Sequence, residues 1–254
     1  MKSLAINGGA GRMGQMLAEG LLGVGFTIRY LVDVHEPSQL FGATYAASWE
    51  TVDASTVDVI VDFSAPDGVV GAAQWCSANG VALVVGTTGL TVEQRGEVEQ
   101  ASTTVGVVIA SNYSIGAVLS EKFAAMAAPY FDRVEIIEMH HDKKADAPSG
   151  TSIAAAQAIA NAREVAHMEP IVDPTVRHTH AGARGAETVG GIKIHSVRLP
   201  GLVSHQEILF GGPGEGLTIR HDSFDRVSFV KGVALAAHAV NANPQLIDGI
   251  DSLI

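Results

Sequence analysis

Cysteine is nearly absent: Cys76 stands alone, so no disulfide can close within the chain. That fits a reducing compartment, and a cytoplasmic location is expected. Cations are also scarce, with 16 Lys and Arg against 27 Asp and Glu for a formal net charge of -11. Such a surface repels a phosphate backbone, which excludes nucleic acid as the expected partner. No apolar run approaches the roughly 18 residues that a membrane span needs, and no membrane partner is expected. The chain opens on an apolar strand, and no targeting segment is expected. Internal repeats, low-complexity tracts and long linkers are missing too. What is there is ordinary globular material: 254 residues, 47% hydrophobic and 17% charged. That is enough for one large domain or two modest ones with a full core.

The first half has a regular rhythm. "SLAIN" (3–7) predicts a buried strand, then a glycine turn, then a helix through "RMGQMLAEGLLG". "FTIRYLVD" (26–33), "VDVIVDFS" (57–64), "VALVVGTT" (81–88) and "VGVVIASN" (105–112) repeat a short apolar run with a polar end, with helices near 66–79 and 91–101. Strands alternating with helices predict a doubly wound parallel sheet covered on both faces. After residue 112 the pattern changes. A helix over "IGAVLSEKFAAMAAPYF" is followed by "RVEIIEMHH", "IKIHSVRL", "SHQEILFG" and "GLTIRHDS", which read as strands of a mostly antiparallel sheet. The expected fold is therefore α/β: a Rossmann-type parallel-sheet domain plus an α+β domain with a mixed or antiparallel sheet. The Ala-rich stretch "SFVKGVALAAHAVNA" predicts a long final helix, free to pack back on the first domain.

Gly8, Gly11 and Gly14 are spaced GxxGxxG directly after a strand and at the start of a helix. Glycines there let the backbone approach a pyrophosphate, and a helix N-terminus supplies N–H donors and a favourable dipole. Asp33 ends the next strand, where an acid can bind a ribose hydroxyl. It is followed by Val34, His35 and Glu36, with no Arg or Lys to meet a 2′-phosphate. The pattern predicts a nicotinamide dinucleotide, NADH favoured or both forms accepted, and Arg12 or His35 leaves room for NADPH. The loops "GTTG" (86–89) and "ASNYS" (110–114) lie at strand ends that border such a crevice, or are ordinary strand-end loops.

The densest cluster of titratable groups is "EMHHDKKADAPSGTS" (138–152). In strand register Val134, Ile136, Glu138 and His140 share one face, and Glu135, Ile137, Met139 and His141 the other. The two histidines therefore point differently. Lys144 lies in a loop able to fold back toward His140. Ser149 is a candidate N-cap for a helix starting at Gly150 and Thr151, whose amides would face an anion. Metal binding is disfavoured, because two lysines oppose a cation and consecutive strand histidines do not readily chelate one ion. A solvated loop and a carboxylate-binding active site both remain open on the residues alone.

Several segments together resemble one family. They are "GGAGRMG" (8–14), "VDFSAP" (61–66), "VGTTG" (85–89), "IASNYSIG" (109–116), "EIIEMHHDKKADAPSGTS" (135–152), "HSVRLPGLVSHQEILFGGPGEGLTIRHDS" (195–223) and "RVSFVKGV" (226–233). The family is 4-hydroxy-tetrahydrodipicolinate reductase, also called dihydrodipicolinate reductase, and HHxxKxDAPSGT is its most specific segment. The resemblance implies reduction of a cyclic imine dicarboxylate by NADH or NADPH with loss of water, in lysine and diaminopimelate biosynthesis, by a homotetramer. It implies a dinucleotide domain formed by both chain ends and a substrate and tetramerisation domain formed by the middle. The change in strand pattern after 112 and the late helix put the bounds at 1–111 with 222–254, and 112–221. Carried over by position, the dinucleotide contacts are Gly8, Gly9, Ala10, Gly11, Arg12, Met13, Asp33, Gly86, Thr87, Thr88, Ala110, Ser111, Asn112 and Tyr113. His140 and Lys144 take the catalytic positions, and His141, Gly150 and Thr151 the substrate-binding ones. Two departures stand out. Lys143 occupies a position where many members carry histidine, and the basic residue that often follows the ribose-binding acid is absent.

Two rival readings share parts of this pattern. Another two-domain NAD(P) reductase, acting on a semialdehyde or a sugar, would need the glycine turn but not HHxxKxDAPSGT. A nucleotide-sensing regulator would need a DNA- or partner-binding element, which neither the charge nor any helix-turn-helix pattern supplies.

Overall fold

The computed structural model describes residues 1–254. Its elements in chain order are β1 (Ser3–Asn7), α1 (Arg12–Gly23), β2 (Thr27–Val32), β3 (Thr44–Ala46), β4 (Val59–Asp62), α2 (Pro66–Asn79), β5 (Ala82–Val85), α3 (Val92–Ala101), β6 (Gly106–Ile109), α4 (Ile115–Ala127), β7 (Arg133–His140), α5 (Gly150–Val165), β8 (Ala186–Glu187), β9 (Lys193–Arg198), β10 (Ser204–Gly212), β11 (Glu215–Ser223), α6 (Val230–Ala239) and β12 (Gln245–Asp248). They form two compact units, Met1–Ile115 with Arg226–Ile254, and Gly116–Asp225. These breaks fall slightly beyond the positions 111/112 and 221/222 expected from sequence. No helix is long and apolar enough to cross a membrane.

Seven parallel strands, in the order β12-β6-β5-β4-β1-β2-β3, make the sheet of the first unit. Every residue of β4, β5 and β6 is buried, as a sheet covered on both faces requires. One core cluster runs from Ala5 and Ile60 through Leu83 and Val85 to Val107, with Val69, Ala72, Ala73 and Cys76 of α2 packed on it. The helices carry their boundary signals. Pro66 occupies the first turn of α2, and Gly80 ends it in the left-handed conformation. Thr91 and Gln94 form a capping box on α3. The C-terminal tail is fastened locally. Lys2 Nζ donates to the last carbonyls of α6, at 2.9 Å to Ala237 O and also to Val240 O, where a cation suits the helix dipole. β12 then pairs parallel with β6. β3 and β12 are short, and neither was anticipated.

In the second unit five strands lie in the order β11-β10-β7-β9-β8. The sheet is mostly antiparallel, as expected, and is made mixed by the parallel pairing of β7 and β9. Their connection runs through α5, and a crossover of that length returns the chain in the same direction. One face of the sheet packs on α4 and α5, joining Val134, Ile136, Ile194, Ile208 and Phe210 to Ala124, Ala155, Ala156 and Ile159. The opposite face carries ion pairs, Arg184–Glu135, His195–Glu135 and Arg220–Asp222. Half-buried Ile137, Met139, Val197 and Leu209 lie in the same rows.

Candidate active site

The glycine turn is built as a cradle. Gly8 has φ +80°, and a Cβ there would sit 2.5 Å from Phe63 O. A Cβ on Gly14 would lie 2.1 Å from Gly8 O. The Gly8 and Gly9 amides donate to Val32 O at 3.0 and 3.1 Å, and the Gly11 amide to Gly8 O at 3.0 Å. Gly11 caps α1 without a side chain, and no acid occupies the first turn. The helix thus presents backbone donors to an anion. Arg12 is exposed and Met13 half-buried at its start. Asp33 follows β2 and accepts from the Ala10 amide at 3.0 Å and the His35 amide at 3.1 Å. The ribose-binding candidate is thereby tied to the phosphate-binding turn. Gln15 stiffens the same corner by donating to Gly9 O at 2.7 Å. A nicotinamide dinucleotide fits this donor set and the space the glycines leave.

The strand-end loops fall in two classes. Gly86 donates to Asp62 O at 2.8 Å, and a Cβ on it would strike the Phe63 ring. Thr88 and Ser111 are exposed, and Asn112 is half-buried with its Oδ1 accepting from the Ser114 amide at 2.9 Å. Ala110 donates to Val85 O, and Tyr113 is fully buried with its hydroxyl on that same oxygen at 2.7 Å. Thr87 donates to Asp62 at 2.6 Å. Asp62 was read from sequence only as a polar strand end, yet it organises this edge. It is fully buried and also accepts from Asn7 Nδ2 at 2.5 Å and from the Ser64 hydroxyl and amide at 3.0 and 3.3 Å. Burial raises its pKa against those hydrogen bonds. The ends of β1, β4 and β5 are linked through this one carboxylate.

In the second unit the core-facing row of β7 turns polar at its end. Val134 and Ile136 are buried in the core, and Glu138 and His140 follow on the same face. Pairing sets their neighbours: Glu138 lies between Ser196 and Gln206, and His140 between Arg198 and Ser204. His140 Nδ1 is 2.5 Å from Glu138 Oε2, and its Nε2 is 3.1 Å from Ser204 Oγ. The Glu138 side chain has no exposed surface and is gripped by Arg198 through bonds of 2.7 and 2.8 Å. Burial works to raise the Glu138 pKa, but hydrogen bonds from Arg198, Ser196 and His140 outweigh it and hold the carboxyl below its ordinary range. For His140, burial lowers the pKa, and the Lys144 and Arg198 charges add to that. Glu138 opposes them, and the net shift is downward.

The following loop bends back through a turn closed by the Lys144 amide on His141 O. Lys144 Nζ donates to both oxygens of Asp146 at 2.8 Å. His141 Nδ1 is buried with no hydrogen-bond partner in the protein. Ser149 caps α5 by accepting from the Ser152 amide, and Ser152 Oγ donates to Gln206 at 2.6 Å. That chain pins the start of the helix to β10 beside Glu138, so Gly150 and Thr151 open α5 next to the histidine row. Sequence reading brought His140, His141, Lys144, Gly150 and Thr151 to this place but missed Glu138, Arg198 and Ser204. A carboxylate two residues before a strand histidine was the available signal for the first. The other two depend on register. No group of three or more His, Cys, Asp or Glu is arranged to hold a metal.

A parallel sheet with a glycine cradle and a ribose-type acid, joined to a unit carrying a histidine–lysine cluster at a helix start, defines a two-unit nicotinamide-dinucleotide oxidoreductase. Family models place it further: dihydrodipicolinate reductase, N-terminus, matches residues 2–113, and its C-terminus matches 116–253. The chain belongs to the dihydrodipicolinate reductase family, whose members use NAD(P)H. It is 42% identical over 265 residues to the 4-hydroxy-tetrahydrodipicolinate reductase of Lactiplantibacillus plantarum, covering 100% of both chains. It is 51% identical over 206 residues to that of Mycolicibacterium gilvum, covering 80% of this chain and 82% of the relative. Among solved structures, a dipicolinate-bound dihydrodipicolinate reductase from Paenisporosarcina sp. TG-14 superposes with a TM-score of 0.87 at 38% identity, covering 100% of each chain.

Proposed function

We propose that the chain reduces 4-hydroxy-tetrahydrodipicolinate to tetrahydrodipicolinate with loss of water, a step of lysine and diaminopimelate biosynthesis. The observation that carries the mechanism is the cluster of His140, His141, Lys144 and the start of α5 within one short stretch of the second unit. The substrate is a cyclic imine with two carboxylates. The Lys144 ammonium is paired with Asp146 at 2.8 Å, and a substrate carboxylate competes for it with a ligand of the same chemistry. The Gly150 and Thr151 amides at the start of α5 suit a carboxylate, and a ligand contact satisfies the otherwise unpartnered His141 Nδ1.

Loss of water from the 4-hydroxy substrate leaves a conjugated C=C–C=N system, to which a bound reduced nicotinamide would supply a hydride at the carbon that carried the hydroxyl. The charge displaced into the ring has to be met by a proton, which His140 or Lys144 is placed to deliver. General-acid assistance of this kind contributes about two to four orders of magnitude. In the first unit Gly8 to Met13 cradle the pyrophosphate, Asp33 takes the ribose, and the loops 86–88 and 110–113 line the rest of the dinucleotide site. Following the loss of nicotinamide absorbance, with substrate formed in situ from pyruvate and aspartate semialdehyde, tests the activity. Turnover of a sugar or a free semialdehyde in its place would overturn it.

Cofactor choice follows from Asp33 and the residues after it. With no cation in Val34, His35 or Glu36, the carboxylate repels a 2′-phosphate, and NADH is expected to bind at least as tightly as NADPH. Dissociation constants for both decide it. A tenfold NADPH preference, about 1.4 kcal/mol, contradicts the reading. Gly150 gives a second check. A Cβ there meets nothing in the protein within 4 Å, so Gly150→Ala is expected to fold normally and raise KM, with thermal stability as the control. The face of the second unit's sheet away from α4 and α5, with apolar side chains between its ion pairs, is the surface on which a homotetramer would assemble, and the single cysteine fits the reducing cytoplasm. Light scattering on the purified protein measures the mass directly.

A further inference from the structure

We infer that Glu138, clamped by Arg198, is the positioning residue that makes Nε2 the proton-exchanging atom of His140, with Ser204 as its hydrogen-bond partner. The inference rests on His140 handling the proton in the reaction proposed above. Its geometry is set by three neighbouring strands: β7 carries Glu138 and His140, β9 carries Arg198, and β10 carries Ser204.

A neutral imidazole has one N–H and one bare nitrogen, and whichever nitrogen faces a carboxylate keeps the proton. His140 Nδ1 faces Glu138 Oε2 at 2.5 Å. Glu138 is itself fixed, because Arg198 donates to both of its oxygens and also to Asp146 O and Val197 O. The carboxylate is therefore a rigid acceptor in a buried, charge-compensated pair, and the Nδ1–H stays on it. Nε2 is left as the acceptor of the Ser204 hydroxyl at 3.1 Å. When the ring is protonated, both nitrogens donate, and Ser204 Oγ turns to accept. Proton delivery then breaks the Nε2–H bond, forms the new bond on the substrate, and returns the ring to its neutral Nδ1–H form. No rearrangement at Glu138 is needed.

The charged groups facing the ring are Glu138, Arg198 and Lys144, with Asp146 paired to the lysine. Glu138 is the one that favours the imidazolium, opposing burial and both cations. Removing its charge is therefore expected to lower the His140 pKa further. A pair that serves only to hold the strands together would change stability and leave the titration of the ring unmoved.

Long-range proton–nitrogen spectra of the full-length protein labelled with ¹⁵N-histidine read both features, with His140 assigned by the signal lost in His140→Gln. In the unmodified protein the neutral ring is expected to carry its proton on Nδ1. In Glu138→Gln the midpoint is expected to fall by about one pH unit, and the falling limb of kcat against pH to move with it. That is about a tenfold rate loss above the limb. KM should stay close to its original value, and Glu138→Asp should restore part of the midpoint. An Nε2–H tautomer, or a Glu138→Gln midpoint equal to that of the unmodified protein, overturns the inference. A midpoint that moves while the kcat limb stays put overturns instead the role of His140 on which it rests. The tautomer measurement needs no variant to fold.

Discussion

Replacing His140 by alanine lowers kcat by about two to four orders of magnitude, the usual range for loss of a general acid, and leaves NADH affinity intact. The affinity survives because the glycine cradle and Asp33 belong to the first unit, and His140 to the second. His141→Ala behaves differently. Its ring follows the end of β7 and offers an unpartnered Nδ1, so its loss raises KM with a smaller change in kcat. Lys144→Ala raises KM and lowers kcat together, since one ammonium both holds carboxylate and assists protonation. Steady-state kinetics with calorimetric NADH titrations separate the three variants. Near-normal kcat in His140→Ala beside a dead His141→Ala would reverse the assignment of the two histidines.

Gly14→Ala abolishes tight dinucleotide binding. The added Cβ sits 2.1 Å from Gly8 O and 2.9 Å from Gly9 Cα, both backbone atoms of the cradle. The turn has to move, and overpacking of this kind costs about 1–3 kcal/mol. Any movement displaces the amides that receive the pyrophosphate. NADH affinity is expected to fall by at least about tenfold, or 1.4 kcal/mol, with a lower Tm. Gly96→Ala is the matched control. It lies inside α3, where a Cβ meets nothing within 4 Å and φ is not positive, so it is expected to stabilise the protein by about 0.4–1 kcal/mol. Equal NADH affinity in Gly14→Ala and the unmodified protein would show that the turn is not the phosphate site.

Much of this was legible because the determinants are local. The glycine spacing, the acid at the end of β2, and the run from Glu138 to Ser152 are each contiguous, and each carries its own mechanism. The strand limits were less legible. Val57–Ser64 read as one strand, while β4 covers only Val59–Asp62, because the chain turns around the Asp62 carboxylate at Ser64, just after the Phe63 amide makes a last bond to Asn7 O. β12 was invisible, since Gln245–Asp248 alternates half-buried and exposed residues and gains its place only by pairing with β6. The parallel pairing of β7 and β9 and the grip of Arg198 on Glu138 have a common cause. Both depend on register between segments about sixty positions apart, which no periodicity within either segment records. Asp62 escaped notice for a related reason. A carboxylate ending an apolar strand looks solvent-facing until its donors from β1 and the loop after β5 are in place.

The central claim is that this chain transfers hydride from a nicotinamide to a cyclic imine dicarboxylate in a reaction that needs His140. NADH carrying deuterium at the transferable position, incubated with the enzyme and the 4-hydroxy substrate, tests it most directly by mass spectrometry and NMR of the product. The account predicts one deuterium on the ring carbon that carried the hydroxyl, and label transfer that falls with kcat in His140→Ala. A product without deuterium, or label transfer undiminished in His140→Ala, would contradict it.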